Sequence, residues 1–234
     1  MSSHPFHRQD AASQAPVRLR PRDAASLLLV DRSAGSPRVL MGKRGSAHVF
    51  MPNLYVFPGG RRDRGDSRQA FFRDLHPLVL QRLAGRDGGD TALSRSRGLA
   101  LAAVRELVEE TGLLLGRMED GRKGQPRLIA DLGSLRYVAR AITPPGNVRR
   151  FDTRFFLAFT DEAAIDPAAI SDSSELHDLR WLDMADLSSL NMPSITRTIL
   201  DDVKAQMQTD PSLPFGSDGP FYFSRHGRFF RETI

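Results

Sequence analysis

The apolar positions change their period along the chain, and each change predicts an element. Ala25 to Asp31 (Ala-Ser-Leu-Leu-Leu-Val-Asp) is a continuous apolar run of strand length. A second such stretch, Arg38 to Arg44, follows a Gly-Ser-Pro turn, and the two predict a hairpin. Leu54-Tyr55-Val56-Phe57 reads as a further strand that runs straight into Pro58-Gly59-Gly60. Leu101, Val104, Leu107, Val108 and Thr111 then recur close to the helical period, which predicts a helix with one buried stripe, ended by Gly112 as its C-cap. Beyond a polar connector with Gly116, Gly121, Gly124 and Pro126, a strand-like stretch runs from Leu128 to Ile142. Pro144-Pro145-Gly146 makes a turn, and Asp152 to Thr160, with Phe155, Phe156, Leu157 and Phe159, is the most hydrophobic strand. Pro193 to Gln206 predicts a helix carrying Ile195, Ile199, Leu200 and Val203. Interleaved strands and helices indicate an α/β layer structure.

Three regions depart from this pattern. Residues 1–20 show no apolar periodicity and are expected to form a mobile tail, in which His4 and His7 have no clustered partner. Residues 67–98 carry Phe71, Phe72, Leu75, Leu78, Val79, Leu80 and Leu83 before a glycine-rich break. That spacing predicts one or two short amphipathic helices, packed beside a substrate cleft or covering a dimer contact. Residues 209–234 hold Phe215, Phe221, Tyr222, Phe223, Phe229 and Phe230, too aromatic a set to float free. They are expected to dock on the main domain, residues 21–208, or across a dimer.

The candidate chemistry lies on the predicted helix around Ala103 to Leu113. Glu106, Glu109 and Glu110 stand at i, i+3 and i+4, so successive turns stack them on one side. A solvated acidic stripe is the bland reading of such a face. Three like charges on adjacent turns repel, however, and a hard divalent cation with oxygen ligands would relieve them. Upstream, the glycines after Phe57 permit close backbone approach and a carbonyl turned toward a ligand.

These residues resemble the Nudix hydrolases. Arg105-Glu106-Leu107-Val108-Glu109-Glu110-Thr111-Gly112-Leu113 matches the second half of the Nudix box without a departure. Gly60 fits the first glycine, and Asp66 stands where the family has glutamate. Residues 67 to 104 replace the family's seven, an insertion of roughly 31 residues, which a loop can absorb because closure entropy grows slowly with length. In this the chain is similar to the long-insert branch related to the peroxisomal acyl-coenzyme A diphosphatases. The resemblance extends through Ile142-Thr143-Pro144-Pro145 and Arg149 to Phe156, and Ser173 to Leu182 looks like the family's late strand, in which Trp181 would be a core anchor.

The resemblance implies a Nudix α/β/α sandwich with a mixed central sheet and an insertion inside the box. It implies a hydrolase that cleaves a diphosphate linked to a second moiety, using Mg2+ or Mn2+. Glu106, Glu109, Glu110 and the Gly59 carbonyl would hold the metal. Glu106 would bind through water or serve as general base, and Arg105 would point off that face and orient a box glutamate. Glu175, on the loop leading into the late strand, sits where some Nudix enzymes place a further ligand or base. For phosphate contacts the candidates are Arg44, which falls with Lys43 and His48 at the exit of the hairpin, and Arg149 and Arg150, which with Arg154 stand at a strand start. Plain surface charge or an ion-pair cluster is the alternative for each.

Composition narrows the partners. The 234-residue chain has no cysteine, which removes disulfides, thiol catalysis and zinc-thiolate sites, and suits a reducing cytoplasm. No apolar run reaches membrane-spanning length, and a formal net charge of +5 favours anionic partners. The expected partner is a small nucleotide-type diphosphate: coenzyme A or acyl-coenzyme A first, ADP-ribose or a dinucleotide as the alternative. A homodimer is left open. A coenzyme A signature of another branch is missing, since Val49 and Asn53 replace its arginine and glycine, and no Ser-Gln-Pro-Trp-Pro motif of the NADH-cleaving branch occurs. The reading from a different class is a catalytically idle Nudix domain that senses a nucleotide or binds RNA. Nucleic acid is disfavoured because an idle domain has no need of three metal-type glutamates.

Overall fold

The structure, a computed structural model, describes residues 19–45, 53–85, 88–121 and 124–234. The chain first forms β1 (Arg22–Asp31), β2 (Arg38–Arg44), β3 (Tyr55–Val56) and β4 (Gly59–Arg61). A 3-10 turn at Asp66–Arg68, β5 (Phe71–Arg73), α1 (Pro77–Ala84) and the long α2 (Asp90–Thr111) follow. Then come β6 (Gly116–Asp120), β7 (Pro126–Asp131), β8 (Arg136–Ile142), β9 (Phe151–Phe159) and β10 (Leu176–Asp183). The last elements are α3 (Ser194–Thr209), β11 (Pro220–Arg225) and β12 (Arg228–Thr233).

The main sheet is mixed and nine-stranded, in the order β10-β2-β1-β9-β8-β11-β12, with β3 on β2 and β4 on β1. Its centre is the parallel pair β1 and β9, in register from Arg22 opposite Phe151 to Val30 opposite Phe159. The sheet is covered on both faces, which accounts for the unbroken apolar run of β1. Leu27 and Leu29 belong to the core under α2 with Leu101, Val104, Leu107 and Phe156. Leu28 and Val30 belong to the core under α3 with Leu157, Phe159, Ile199 and Val203. This is the predicted α/β/α arrangement. No helix among the described residues is long and apolar enough to cross a membrane.

Several elements differ from the sequence reading. The predicted strand from Leu128 to Ile142 is two strands, parted by a turn in which the Leu135 N–H bonds to the Leu132 carbonyl at 3.2 Å. The polar connector contains β6, paired antiparallel with β7. β5, from the inserted stretch, joins the same small sheet parallel to β7. Such short polar strands carry no alternation long enough to read. The box helix starts as early as Asp90, so part of the insertion is an N-terminal extension of α2. Trp181 is half-buried rather than central, and its indole N–H bonds to the Pro167 carbonyl at 2.8 Å.

Helix α1 packs over β8, two strands removed from β1, and against the segment that precedes β11. Val79 is fully buried there, and His76 stacks on Phe215 with centroids 4.5 Å apart. Arg82 donates to the Tyr137 carbonyl at 3.0 Å and to the Ile234 carbonyl at 2.6 Å, joining α1, β8 and the end of β12. The expected tail at 1–20 falls almost wholly outside the described residues, as do His4, His7 and His48.

The stripe that seats α2 on the sheet sets the position of every box side chain. Leu107, fully buried between helix and sheet, is its midpoint. Leu107→Ala is expected to cost about 2–5 kcal/mol of unfolding free energy, the range for emptying a packed leucine site. Urea unfolding measures it, and a loss under about 1 kcal/mol would show that α2 is held by other contacts.

Candidate active site

The site begins with a turn pressed onto the middle of β1. The Pro58 carbonyl accepts from the Leu27 N–H at 2.9 Å and from the Ser26 hydroxyl at 3.0 Å. Gly59 (φ 157°) then pairs with Ser26, and a methyl group there would lie 2.6 Å from the Ala25 carbonyl oxygen. A methyl group at Gly60 would lie 2.2 Å from Glu106 Oε1. Two glycines are therefore required for opposite reasons. One lets the turn meet the strand, and the other lets it meet a helix carboxylate.

Helix α2 delivers the other half. Gly112 closes it in the left-handed conformation (φ 72°), its N–H bonded to the Val108 carbonyl at 3.0 Å. The three glutamates do not share one exposed face. Glu109 is exposed and Glu106 partly buried, while Glu110 turns inward, only 5% exposed, where its Oε2 accepts the Gly59 N–H at 2.7 Å. Burial lifts the Glu110 carboxyl to about 8; the Gly59 N–H and Arg44 oppose this, and Glu106 and Glu175 add to it by repulsion. Glu106 is raised for the same first reason, burial, against the pull of Arg105.

Arg105 does not point away from the carboxylates. It forks onto buried Asp66 through Nε at 2.8 Å and Nη2 at 3.3 Å, while Nη1 donates to Glu106 Oε1 and Glu109 Oε2, each at 2.9 Å. Nη2 also reaches the Arg61 carbonyl at 3.1 Å. Burial alone would lower the basicity of Arg105, but the surrounding carboxylates raise it and hold it charged. Asp66, 3% exposed, also accepts the Asp63 N–H at 2.7 Å. It is a partner of Arg105.

The end of β2 and the start of β10 border the glutamates. Arg44 pairs with Leu176, the Gly45 N–H bonds to the Glu175 carbonyl at 3.3 Å, and both Arg44 and Glu175 act electrostatically on Glu110. Arg149 and Arg150 lie elsewhere, at the start of β9. The level of Gly59 and Gly60 on β1 corresponds to Arg154 and Phe155 on β9, roughly 16 Å along the strand at about 3.3 Å per residue. Arg150 donates to the carbonyls of Thr143 (2.9 Å) and Leu19 (2.7 Å), and Arg149 stands exposed on the loop. Arg154 is buried between Asp152 at 3.0 Å and Asp23 at 3.4 Å. Arg150 and Arg154 thus tie together that end of the sheet, at a distance from the glutamates. His177 is half-buried in β10, opposite Lys43.

Sequence reasoning missed Asp172. Its carboxylate accepts the N–H groups of Asp178 (2.9 Å) and Leu179 (3.0 Å), folding the bulge of β10 that leads from Glu175. Its partners lie six and seven residues on, beyond the reach of any local turn signature.

The donors suit a hard divalent ion: three carboxylates beside a turn of glycine carbonyls. Among the described residues, no three acidic or histidine side chains are gathered as a ready metal-holding group, since Arg105 draws Glu106 and Glu109 toward itself. The buried acidic group nevertheless answers to a cation, because Glu110 is destabilised in its charged form.

Residues 96–203 match the NUDIX domain family model. The match starts within α2, so the upstream half of the box, Gly60 and Asp66, precedes it. A relative from Caenorhabditis elegans, provisionally named nudix hydrolase 7, is 29% identical over 182 residues. That alignment covers 69% of this chain and 51% of the relative, so the chain spans about half the length of the curated relative it matches. The crystal structure of a NUDIX hydrolase from Alicyclobacillus acidocaldarius superposes with a TM-score of 0.57 at 26% identity, covering 78% of this chain and 90% of that one.

The raised Glu110 gives a test of sign. A folded-state value near 8, against about 4.3 when unfolded, means that its contribution to stability is fully present below about 4 and is lost as pH rises through about 8. With a chelator present, Glu110→Gln is expected to stabilise the protein relative to wild type, and by more at pH 8 than at pH 5. Thermal unfolding at the two pH values measures this, and a pH-independent difference would contradict the buried-charge assignment.

Proposed function

We propose that this chain is a Nudix pyrophosphohydrolase that cleaves the diphosphate of a nucleoside diphosphate linked to another moiety, with Mg2+ or Mn2+ as cofactor and coenzyme A or an acyl-coenzyme A as substrate. The observation that carries the reading is the buried contact of Glu110 with the Gly59 N–H, beside Glu106 and Glu109, which Arg105 holds. Glu106, Glu109, Glu110 and the Gly59 carbonyl would hold the metal. Once bound, it would neutralise the diphosphate and activate the attacking water.

The chain's own groups divide the remaining work. Burial raises Glu106 above the ordinary carboxylate value against the pull of Arg105, and Glu106, set over the glycine turn, takes the role of general base. Arg105, anchored by Asp66, is a positioning residue that fixes the Glu106 carboxylate over Gly60. Arg44, which acts electrostatically on Glu110, is the candidate cation for a substrate phosphate, and Glu175 adds a further carboxylate to the three glutamates. The coenzyme A assignment rests on the long insertion in the box. The place of action is the cytoplasm, in keeping with the cysteine-free composition.

Phosphate-product release should be measured on a panel of coenzyme A, acyl-coenzyme A, ADP-ribose, NADH and diadenosine polyphosphates, with Mg2+ or Mn2+ and with a chelator. Metal-dependent cleavage of the coenzyme A members above all others is the expected result. Preference for ADP-ribose or a dinucleotide would replace the substrate but keep the reaction, and no cleavage by a folded protein would overturn the enzyme. Glu106→Gln is expected to lower kcat by about 10²–10⁴ with the fold intact, whereas a nucleotide or RNA binder would retain its affinity.

A further inference from the structure

The last two strands form a tight hairpin on the margin of the main sheet. β11 and β12 pair without a register shift from Pro220 opposite Thr233 to Arg225 opposite Arg228. The two linking residues, His226 (φ 51°) and Gly227 (φ 73°), both adopt the left-handed region that a two-residue hairpin turn needs. Among the described residues, the outer edge of β12 has no partner strand. No proline, no lysine and no bulge interrupts Arg228-Phe229-Phe230-Arg231-Glu232-Thr233, and its protection is confined to the charges of Arg228, Arg231 and Glu232. Phe229 is 80% exposed and Phe230 40%. On one face an aromatic ladder runs from Phe221 to Phe223 (4.8 Å) to Phe230 (5.3 Å) and stops at the edge.

We propose that β12 pairs antiparallel with β12 of a second copy of this chain, about a two-fold axis through Phe230, so that the two sheets become one. The hydrogen-bond alternation selects the possible registers. Counted from the turn-closing pair Arg225 and Arg228, the backbone groups of Phe229, Arg231 and Thr233 face outward. Charge then selects one of those registers. With Phe230 opposite Phe230, Arg228 faces the partner's Glu232 twice over, and Phe229 faces the partner's Arg231 in two exchanged backbone pairs. Centring on Arg231 would instead set Phe230 against Glu232, and centring on Phe229 would set Arg228 against Phe230. The strand is thus complementary to itself in one register, as an isologous contact requires. The aromatic ladder continues across it from Phe230 to Phe230.

Sedimentation velocity on the full chain across the micromolar range is expected to show a monomer–dimer equilibrium. Arg228→Glu alone, or Glu232→Arg alone, is expected to weaken the dimer roughly tenfold or more by placing like charges opposite each other twice. The double reversal R228E/E232R is expected to restore it. Because the chain has no cysteine, Phe230→Cys carries a single thiol in a non-hydrogen-bonded pair whose close approach admits a disulfide. It is expected to oxidise to a covalent dimer faster than the exposed control Ser188→Cys. A monomer at every concentration, a dimer indifferent to the reversals, or a double variant no better than the singles would overturn the proposal.

Discussion

The site depends on one contact, the Gly59 N–H meeting the Glu110 carboxylate at 2.7 Å with almost no solvent between turn and helix. For that bond to form, β4 must lie close on β1 and α2 must approach to hydrogen-bond distance. The first condition is met by the Pro58 carbonyl, held by both Ser26 and Leu27, and by a glycine where a side chain would strike β1. The second is met by the apolar stripe of Leu101, Val104 and Leu107, which sets how deeply the helix sits. A carboxylate at such a depth is costly unless something satisfies it, and one neutral N–H bond is a small return. The fold therefore stores an electrostatic cost at the one place where a cation would remove it.

Arg105 acts on the neighbouring carboxylates instead. One guanidinium serves Asp66, Glu106 and Glu109 together, so three carboxylates share one positive charge. Its grip on Asp66 also accounts for a buried carboxylate at that position. The 3-10 turn at Asp66–Arg68 brings the backbone close enough for the Asp66 carboxylate to reach both Nε and Nη2. What matters at this position is a buried negative partner for Arg105, and one methylene less is made up by the turn.

Much of this was legible in the sequence, for reasons that differ by element. The β1–β2 hairpin and the strand β9 announced themselves because strands buried on both faces read as unbroken apolar runs, and α2 because its stripe repeats at the helical period. The glycine turn was legible through chemistry rather than pattern, since only a close approach calls for two glycines after a strand. The depth of each glutamate was not legible. Spacing places Glu106, Glu109 and Glu110 on neighbouring turns, but a rotation of one position decides that Glu110 faces the core and Glu109 faces water. The partners of the arginines were not legible for a related reason. Arg150 and Arg154 look like anion ligands in a list of charges, yet one is spent on backbone carbonyls and the other on Asp23 and Asp152, partners far away in sequence.

The insertion raises the sharper physical question of how a box split by roughly 31 residues keeps its two halves in contact. The answer lies at Ser67 and Gly98, the two ends of the inserted stretch. A methyl group on Gly98 would sit 2.5 Å from the Ser67 hydroxyl, so the ends touch. The excursion leaves and returns at one point on α2, and its length adds closure entropy without adding strain to the box. That entropy is offset within the excursion itself. Val79 is buried, Arg97 pairs with Asp74 at 2.7 Å, Arg73 pairs with Asp131, and Arg82 ties α1 to β8 and to the end of β12. The added helix is thus anchored to β8 and to the end of the β11–β12 hairpin, while Gly60 stays against Glu106 and Asp66 against Arg105.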